Sequence, residues 1–212
     1  MARNKHPEVT VNRILDTALK LFLKKGYEET TIQDIVDHLG DLSKGAIYHH
    51  FRSKEEIISA VTNRMVQQQP LNQITEDHSL TGLQKLKKVF VVSLSNSEQR
   101  QLYRSASAVM KNPKFLSEQL NEYITVQAPQ LQKMIREGVE DGSIASNPSK
   151  ELSEVVILLF NVWLNPGLFA ADKEQFTNKF FFLKRLLDHL GVPVIDQEIS
   201  DAFKDFCDGV FA

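Results

Sequence analysis

One cysteine, Cys207, is present among the 212 residues, so the chain cannot form an intrachain disulfide or a cysteine-based zinc site. No apolar run is long enough to cross a bilayer, and the longest, residues 155–164, is interrupted by Asn161. No charged and apolar leader is visible at the amino end. We therefore expect no secretory signal, no membrane partner and a cytoplasmic location.

Catalytic and metal-binding motifs are also missing. We find no nucleophile–base pairing, no His-Glu-x-x-His sequence and no glycine-rich phosphate loop. The adjacent His49 and His50 do not indicate a metal site, because neighbouring helical residues point about 100° apart and cannot chelate one ion together. The sequence predicts no metal, no cofactor and no enzymatic activity, with a helical-bundle enzyme kept as a minor alternative.

A strong charge of either sign is absent as well. The net charge is −2, and the composition, 42% hydrophobic and 25% charged, is typical of a globular protein. Averaged charge argues weakly against nucleic-acid binding, but the distribution of charge matters more than its sum. Residues 1–54 hold nine basic and seven acidic side chains, so the small basic excess lies at the amino end.

Apolar residues recur at helical spacing along almost the whole chain, and no convincing strand or internal repeat is visible. The pattern predicts an all-α protein of about nine to ten helices. One long helix is expected at about residues 114–141, kinked at Pro129 and not ended there. The polar stretch at residues 72–79 reads as a loop, and it separates a small domain, residues 7–69, from a larger one, residues 70–212.

Start and stop signals divide the small domain into short helices. Gly26 ends the first helix, and Gly40 ends the second. Thr31 and Asp34 are spaced for a capping box at the start of the second helix, and Ser43 caps a very short third helix. Two short helices joined by a turn and packed on a longer first helix form a helix-turn-helix unit.

The third helix, residues 44–52, contains no acidic residue. Lys44 and Lys54 both lie at helix starts, where the helix dipole disfavours a cation, and an external phosphate would resolve that conflict. Gly45 costs up to about 1 kcal/mol against alanine in a helix, so something must need its small size. These features favour a surface that contacts a polyphosphate.

The amino-terminal third of the chain resembles the TetR-type (TetR/AcrR) transcriptional regulators. The resemblance is carried by ordered and correctly spaced residues: Ile14, Leu15, Ala18, Leu21, Phe22, Gly26, Thr30, Thr31, Asp34, Ile35, Gly40, Ser43, Lys44, Gly45, Ile47, Tyr48, His50, Phe51, Ser53, Lys54 and Glu55. It implies a three-helix DNA-binding domain over residues 7–69. It also implies a helical ligand-sensing and dimerisation domain over residues 70–212.

The turn of the helix-turn-helix unit departs from the family pattern. The family usually reads Gly-Val-Ser there, whereas this chain reads Gly40, Asp41, Leu42, Ser43, with one extra residue. The insertion predicts a shifted or rotated third helix. Base contacts should be affected more than phosphate contacts.

The resemblance implies that the third helix enters the major groove with its first residues at the base edges. Lys44 is the candidate for a guanine or phosphate contact, and Gly45 would allow close approach to the duplex. Ala46 is equally consistent with a thymine-methyl contact and with packing. The full set of predicted DNA-contacting residues is Thr30, Thr31, Ser43, Lys44, Gly45, Ala46, Tyr48, His49, His50 and Lys54.

The carboxy-terminal helices are apolar around their whole circumference at residues 155–160 and 180–182, and such helices must be covered on all sides. We expect a homodimer, with deep burial within one chain as the alternative. The predicted interface residues are Val156, Leu159, Phe160, Phe181 and Leu187. Candidate pocket residues, each of which also fits a plain core, are Tyr103, Met110, Tyr123, Phe160, Trp163 and Phe176.

The sequence as a whole predicts a homodimeric repressor. It would bind a palindromic double-stranded DNA operator and be released by a small-molecule effector. Control by a protein partner in place of a small molecule remains open from the residues alone.

Overall fold

A computed structural model of the chain describes residues 7–68, 70–105, 109–145 and 149–211. The helices are α1 (Pro7–Lys25), α2 (Ile32–Leu39), α3 (Lys44–His50), α4 (Lys54–Gln67), α5 (Leu71–Thr75), α6 (Gly82–Ser95), α7 (Ser97–Ser105), α8 (Pro113–Glu122), α9 (Ala128–Glu140), α10 (Ser149–Leu158), α11 (Lys173–His189) and α12 (Gln197–Phe211). A 3₁₀ turn covers Val109–Lys111.

Two pairs of segments are continuous. The π-helical stretch Tyr123–Gln127 joins α8 to α9, and α10 runs on through the π-helical Leu159–Trp163. Within the described ranges this gives eleven helices, an amino-terminal helix-turn-helix domain and a helical body, which confirms the all-α prediction. The helix missed from the sequence is α5, because the stretch at 72–79 was interpreted as a loop.

A buried ion pair explains why α5 forms in that polar stretch. Lys85 is 2% exposed, and its ammonium donates to a carboxylate oxygen of Glu137 at 2.6 Å and to the carbonyl of Thr75 at 2.9 Å. The pair joins α5, α6 and α9. Next to it, Gly82 lies so close to the backbone of Gly138 that any β-carbon there would collide.

Pro129 lies inside a continuous helix, as the apolar spacing predicted. Proline cannot donate an amide hydrogen and its ring crowds the carbonyl four residues earlier. The π-helical turn at Tyr123–Gln127 immediately before it relaxes that crowding.

The core of the amino-terminal domain extends into the larger domain. Phe22, Ile35, Ile47 and Ile58 are fully buried beneath the helix-turn-helix unit. The same cluster includes residues of the following helices, Leu102, Val109 and Phe115. The small domain therefore depends on its neighbours for burial, because helices this short bury little among themselves.

Candidate nucleic-acid interface and effector cavity

The start of α2 is fixed by a capping box. The Thr31 hydroxyl accepts from the amide of Asp34, and the Asp34 carboxylate accepts from the amide of Thr31 at 2.7 Å. Lys25 at 2.8 Å and the Thr31 groups hold the pKa of Asp34 well below its usual range. Asp34 is thus ionised and already paired, and Thr31 remains exposed at the surface.

Thr30 requires a correction to the predicted contact set. Its side chain is fully buried, and its hydroxyl donates to the carbonyl of Gly26 at 2.7 Å. A phosphate cannot reach it in this conformation. The hydroxyl of Thr30 instead closes the loop between α1 and α2.

The extra residue in the turn has a clear structural place. Gly40 adopts a left-handed φ of 73° and ends α2. Asp41 then forms a two-pronged ion pair with Arg13 of α1, at 2.6 and 2.9 Å, which lowers the pKa of its carboxyl. Leu42 packs against the core of the domain. The longer turn is therefore held against α1 by the ion pair between Asp41 and Arg13.

Short helix α3 presents its first turn to solvent. The hydroxyl of Ser43 is the cap, accepting from the amide of Ala46 at 3.2 Å. Lys44 is exposed, and its ammonium has no hydrogen-bond or ion-pair partner in the part of the chain described. A β-carbon at Gly45 would meet only the Ser43 hydroxyl, at 3.8 Å. Among the described residues, no packing contact excludes a side chain at this position.

The remaining α3 side chains divide between surface and core. Tyr48 is 45% exposed and His49 is exposed, while Ala46 and His50 are half-buried beside the fully buried Ile47. Across the described ranges, no three His, Cys, Asp or Glu side chains are placed to hold a metal. The same ranges contain no helix long and apolar enough to span a membrane.

Lys54 differs from its predicted role as a phosphate clamp. Its ammonium donates to the carbonyls of Tyr27 and Glu28 at 2.7 and 3.2 Å, and it lies 4.2 Å from the centre of the Tyr27 ring. The cation therefore contacts the α1–α2 loop. This contact ties the start of α4 to that loop.

We expect Lys54→Met to lower the free energy of unfolding by about 1–2 kcal/mol, because two carbonyls lose a charged donor. The salt dependence of DNA binding should stay unchanged. Chemical denaturation measures the free energy of unfolding, and a salt titration measures the salt dependence of DNA binding. Lys44→Met is the matched control, which should leave the free energy of unfolding unchanged and make the salt dependence of DNA binding shallower. A normal stability combined with a shallower salt slope would show that Lys54 contacts phosphate after all.

Acidic groups near α3 are also engaged. Glu56 accepts from the amide of Arg52 at 2.6 Å and from the ammonium of Lys114 at 3.0 Å. The hydroxyl of Ser53 accepts from the amide of Glu56, but the Glu56 carboxylate accepts from the amide of Arg52 and not from that of Ser53, so only half of a capping box is present. This link connects the α3–α4 junction to α8.

A cavity of about 520 Å³ lies between α4 and the helices of the larger domain. Of the predicted pocket residues, Tyr123, Phe160 and Phe176 line it. Trp163 is absent from its wall and packs against Phe182, with ring centres 5.9 Å apart. The side chains of Tyr103 and Met110 are outside the described residues. Gln119, not predicted from the sequence, also lines the cavity.

Residues 14–61 match the profile of the family described as bacterial regulatory proteins, tetR family. The amino-terminal segment at residues 14–61 is therefore a TetR-family DNA-binding domain. The chain is 29% identical over 147 residues to the HTH-type transcriptional repressor KstR2 of Mycolicibacterium smegmatis, covering 62% of this chain and 66% of that protein. Over 46 residues it is 52% identical to the uncharacterised HTH-type transcriptional regulator YerO of Bacillus subtilis, covering 22% and 16%. The chain thus spans less than two thirds of the length of either relative.

Solved structures share the fold of this chain. A TetR-family transcriptional regulator from Pectobacterium atrosepticum is 19% identical with a TM-score of 0.62, covering 90% of this chain and 98% of that one. A protein from Saccharomonospora viridis, described as a transcriptional regulator and crystallised with choline, is 22% identical with a TM-score of 0.59, covering 85% and 96%. At these identities the likeness establishes the fold alone.

The predicted dimer residues fall on two sides of the same helices. Val156 and Leu187 are buried in the core of the chain, so these two cannot face a partner as predicted. Phe160 is half-buried and packs against Phe90 at the cavity. Leu159 is half-buried against the same core. Phe181 is at the surface. The large apolar side chains exposed on α10 and α11 are Val155, Leu158, Phe181 and Phe182.

Proposed function

We propose that this TetR-family protein is a homodimeric, cytoplasmic repressor that binds a palindromic operator and is released by a small-molecule effector. The observation that supports this most is the first turn of α3, where Lys44 is unpaired within the described chain and Gly45 has no internal packing role. Both features suit a helix whose first turn approaches a duplex in the major groove.

Helix α8 offers a physical route between effector and operator. Lys114 at its start pairs with Glu56, next to the α3–α4 junction. Phe115, the next residue, and Gln119, five residues after Lys114, line the cavity. An effector that prefers a different position of α8 would shift the population toward states with a different separation of the two α3 helices.

Control by a protein partner predicts a closed bundle core. A cavity of about 520 Å³ instead falls in the size range of small-molecule sites, which favours an effector.

A salt titration tests DNA binding at low cost. With several phosphate contacts per subunit, log K should fall linearly with log[salt], with a slope of about −5 or steeper for the dimer. Fluorescence anisotropy with a labelled operator, selected beforehand from a pool of fragments, measures it. A slope near zero would contradict phosphate-dominated binding.

A further inference from the structure

The wall of the cavity is apolar and uncharged. The residues that line it within the described ranges include no Asp, Glu, Lys, Arg or His. Aromatic and aliphatic side chains, among them Phe90, Tyr123, Leu131 and Phe160, form most of the surface. A charged ligand would lose its hydration there without gaining a countercharge.

Several polar side chains in this wall donate hydrogen bonds to nearby backbone carbonyls. Thr62 donates to its own helix at 2.9–3.0 Å, Ser93 to Val89 at 2.9 Å, and the amide nitrogen of Asn161 to Ile157 at 3.1 Å. These side chains are satisfied by the backbone. They contribute little that a ligand could use as a donor.

Gln119 differs from these side chains because it has a buried donor without a partner. Its side chain is 8% exposed, and its amide nitrogen has no hydrogen-bond partner among the described residues. Buried donors are nearly always paired in folded proteins, and each exception needs an explanation. A group that enters the cavity and accepts a hydrogen bond would supply the missing partner.

We propose that the cavity binds a neutral, largely apolar molecule with one hydrogen-bond acceptor, such as a ketone, ester or lactone carbonyl, to which the amide nitrogen of Gln119 donates. This inference rests on the proposed function and specifies the effector class. A quaternary ammonium could lie against the aromatic rings, but it would leave the Gln119 donor facing a cation. A carboxylate could accept the hydrogen bond but would be desolvated without a cationic partner.

The position of Gln119 also suggests how such a ligand would act. Gln119 and Lys114 lie on the same helix, five residues apart, and Lys114 holds Glu56 at the α3–α4 junction. A hydrogen bond to Gln119 therefore acts on the helix that contacts the DNA-binding domain.

Direct binding of four probes with the same nine-carbon chain tests the inference in the absence of DNA. The probes are 2-nonanone, 1-nonene, nonanoate and nonyltrimethylammonium, and isothermal titration or thermal shift of the full chain gives the affinities. We expect 2-nonanone to bind tightest. Gln119→Leu should lower the affinity for the ketone about five- to tenfold while leaving the alkene within about twofold.

Thr62→Val is the matched control, because it removes a lining hydroxyl that already donates to backbone carbonyls. It should leave the ratio of ketone affinity to alkene affinity unchanged. The inference is overturned if either charged probe binds more tightly than the ketone, if no probe binds, or if Gln119→Leu keeps the ketone preference. The order of the four probe affinities for the wild-type protein tests the inference even if a variant folds poorly. Because no operator is present, any of these failures leaves the DNA-binding proposal standing.

Discussion

Replacing Lys44 with alanine is expected to weaken operator binding by about 30-fold or more. The ammonium is exposed and unpaired within the described chain, so its only substantial interaction would be with DNA. Each such contact contributes about 1–3 kcal/mol, and a dimer presents it twice. Anisotropy with the selected operator at fixed salt measures the loss.

Stability should hardly change in the same variant, because a surface substitution away from caps and cores usually stays within about 0.5 kcal/mol. Lys88→Ala is the matched control, since Lys88 is an exposed lysine on α6 in the larger domain. Both variants lose one positive charge per chain. Equal operator affinities for the two variants would refute the role assigned to α3.

Placing glutamate at both Leu158 and Phe182 is expected to convert the dimer into monomers and to abolish high-affinity operator binding. These side chains are 39% and 51% exposed on the apolar face of α10 and α11. Burying four carboxylates in a two-fold interface without partners is strongly unfavourable. A monomer can then contact only one half-site, so the gain from simultaneous binding is lost.

Sedimentation velocity gives the oligomeric state of that double variant. Val9→Glu is the control, because it charges an exposed apolar residue of the DNA-binding domain, 57% exposed, and should leave the dimer intact. If the double variant still sediments as the wild type does, the partner surface lies elsewhere on the molecule.

The helix-turn-helix unit could be predicted because its signals are local. Thr31 with Asp34 and Ser43 with Ala46 lie three residues apart, and both caps form as spacing predicted. The hydrogen-bond partners of the Lys54 ammonium could not be predicted in this way. Its carbonyl partners lie 26 and 27 residues earlier in the chain, so only the folded structure brings them together.

In the larger domain, the helices other than α5 could be predicted, but not which side of each helix faces the core. Val155 and Val156 are adjacent and equally apolar, yet one is exposed and the other buried. When a helix is apolar all round, spacing cannot say which side meets the core. Gln119 did leave a signal, since it lies between Phe115 and Tyr123 at four-residue spacing, a polar residue within an apolar stripe.

The central claim is that α3, presented twice by a dimer, reads a specific duplex. Selection of genomic fragments with the purified full chain, followed by footprinting of the enriched fragments, tests it most directly. We expect an inverted repeat with half-sites about one helical turn apart, both protected. Enrichment of no fragment above random competitor, or protection of a single unrepeated site, would contradict the account.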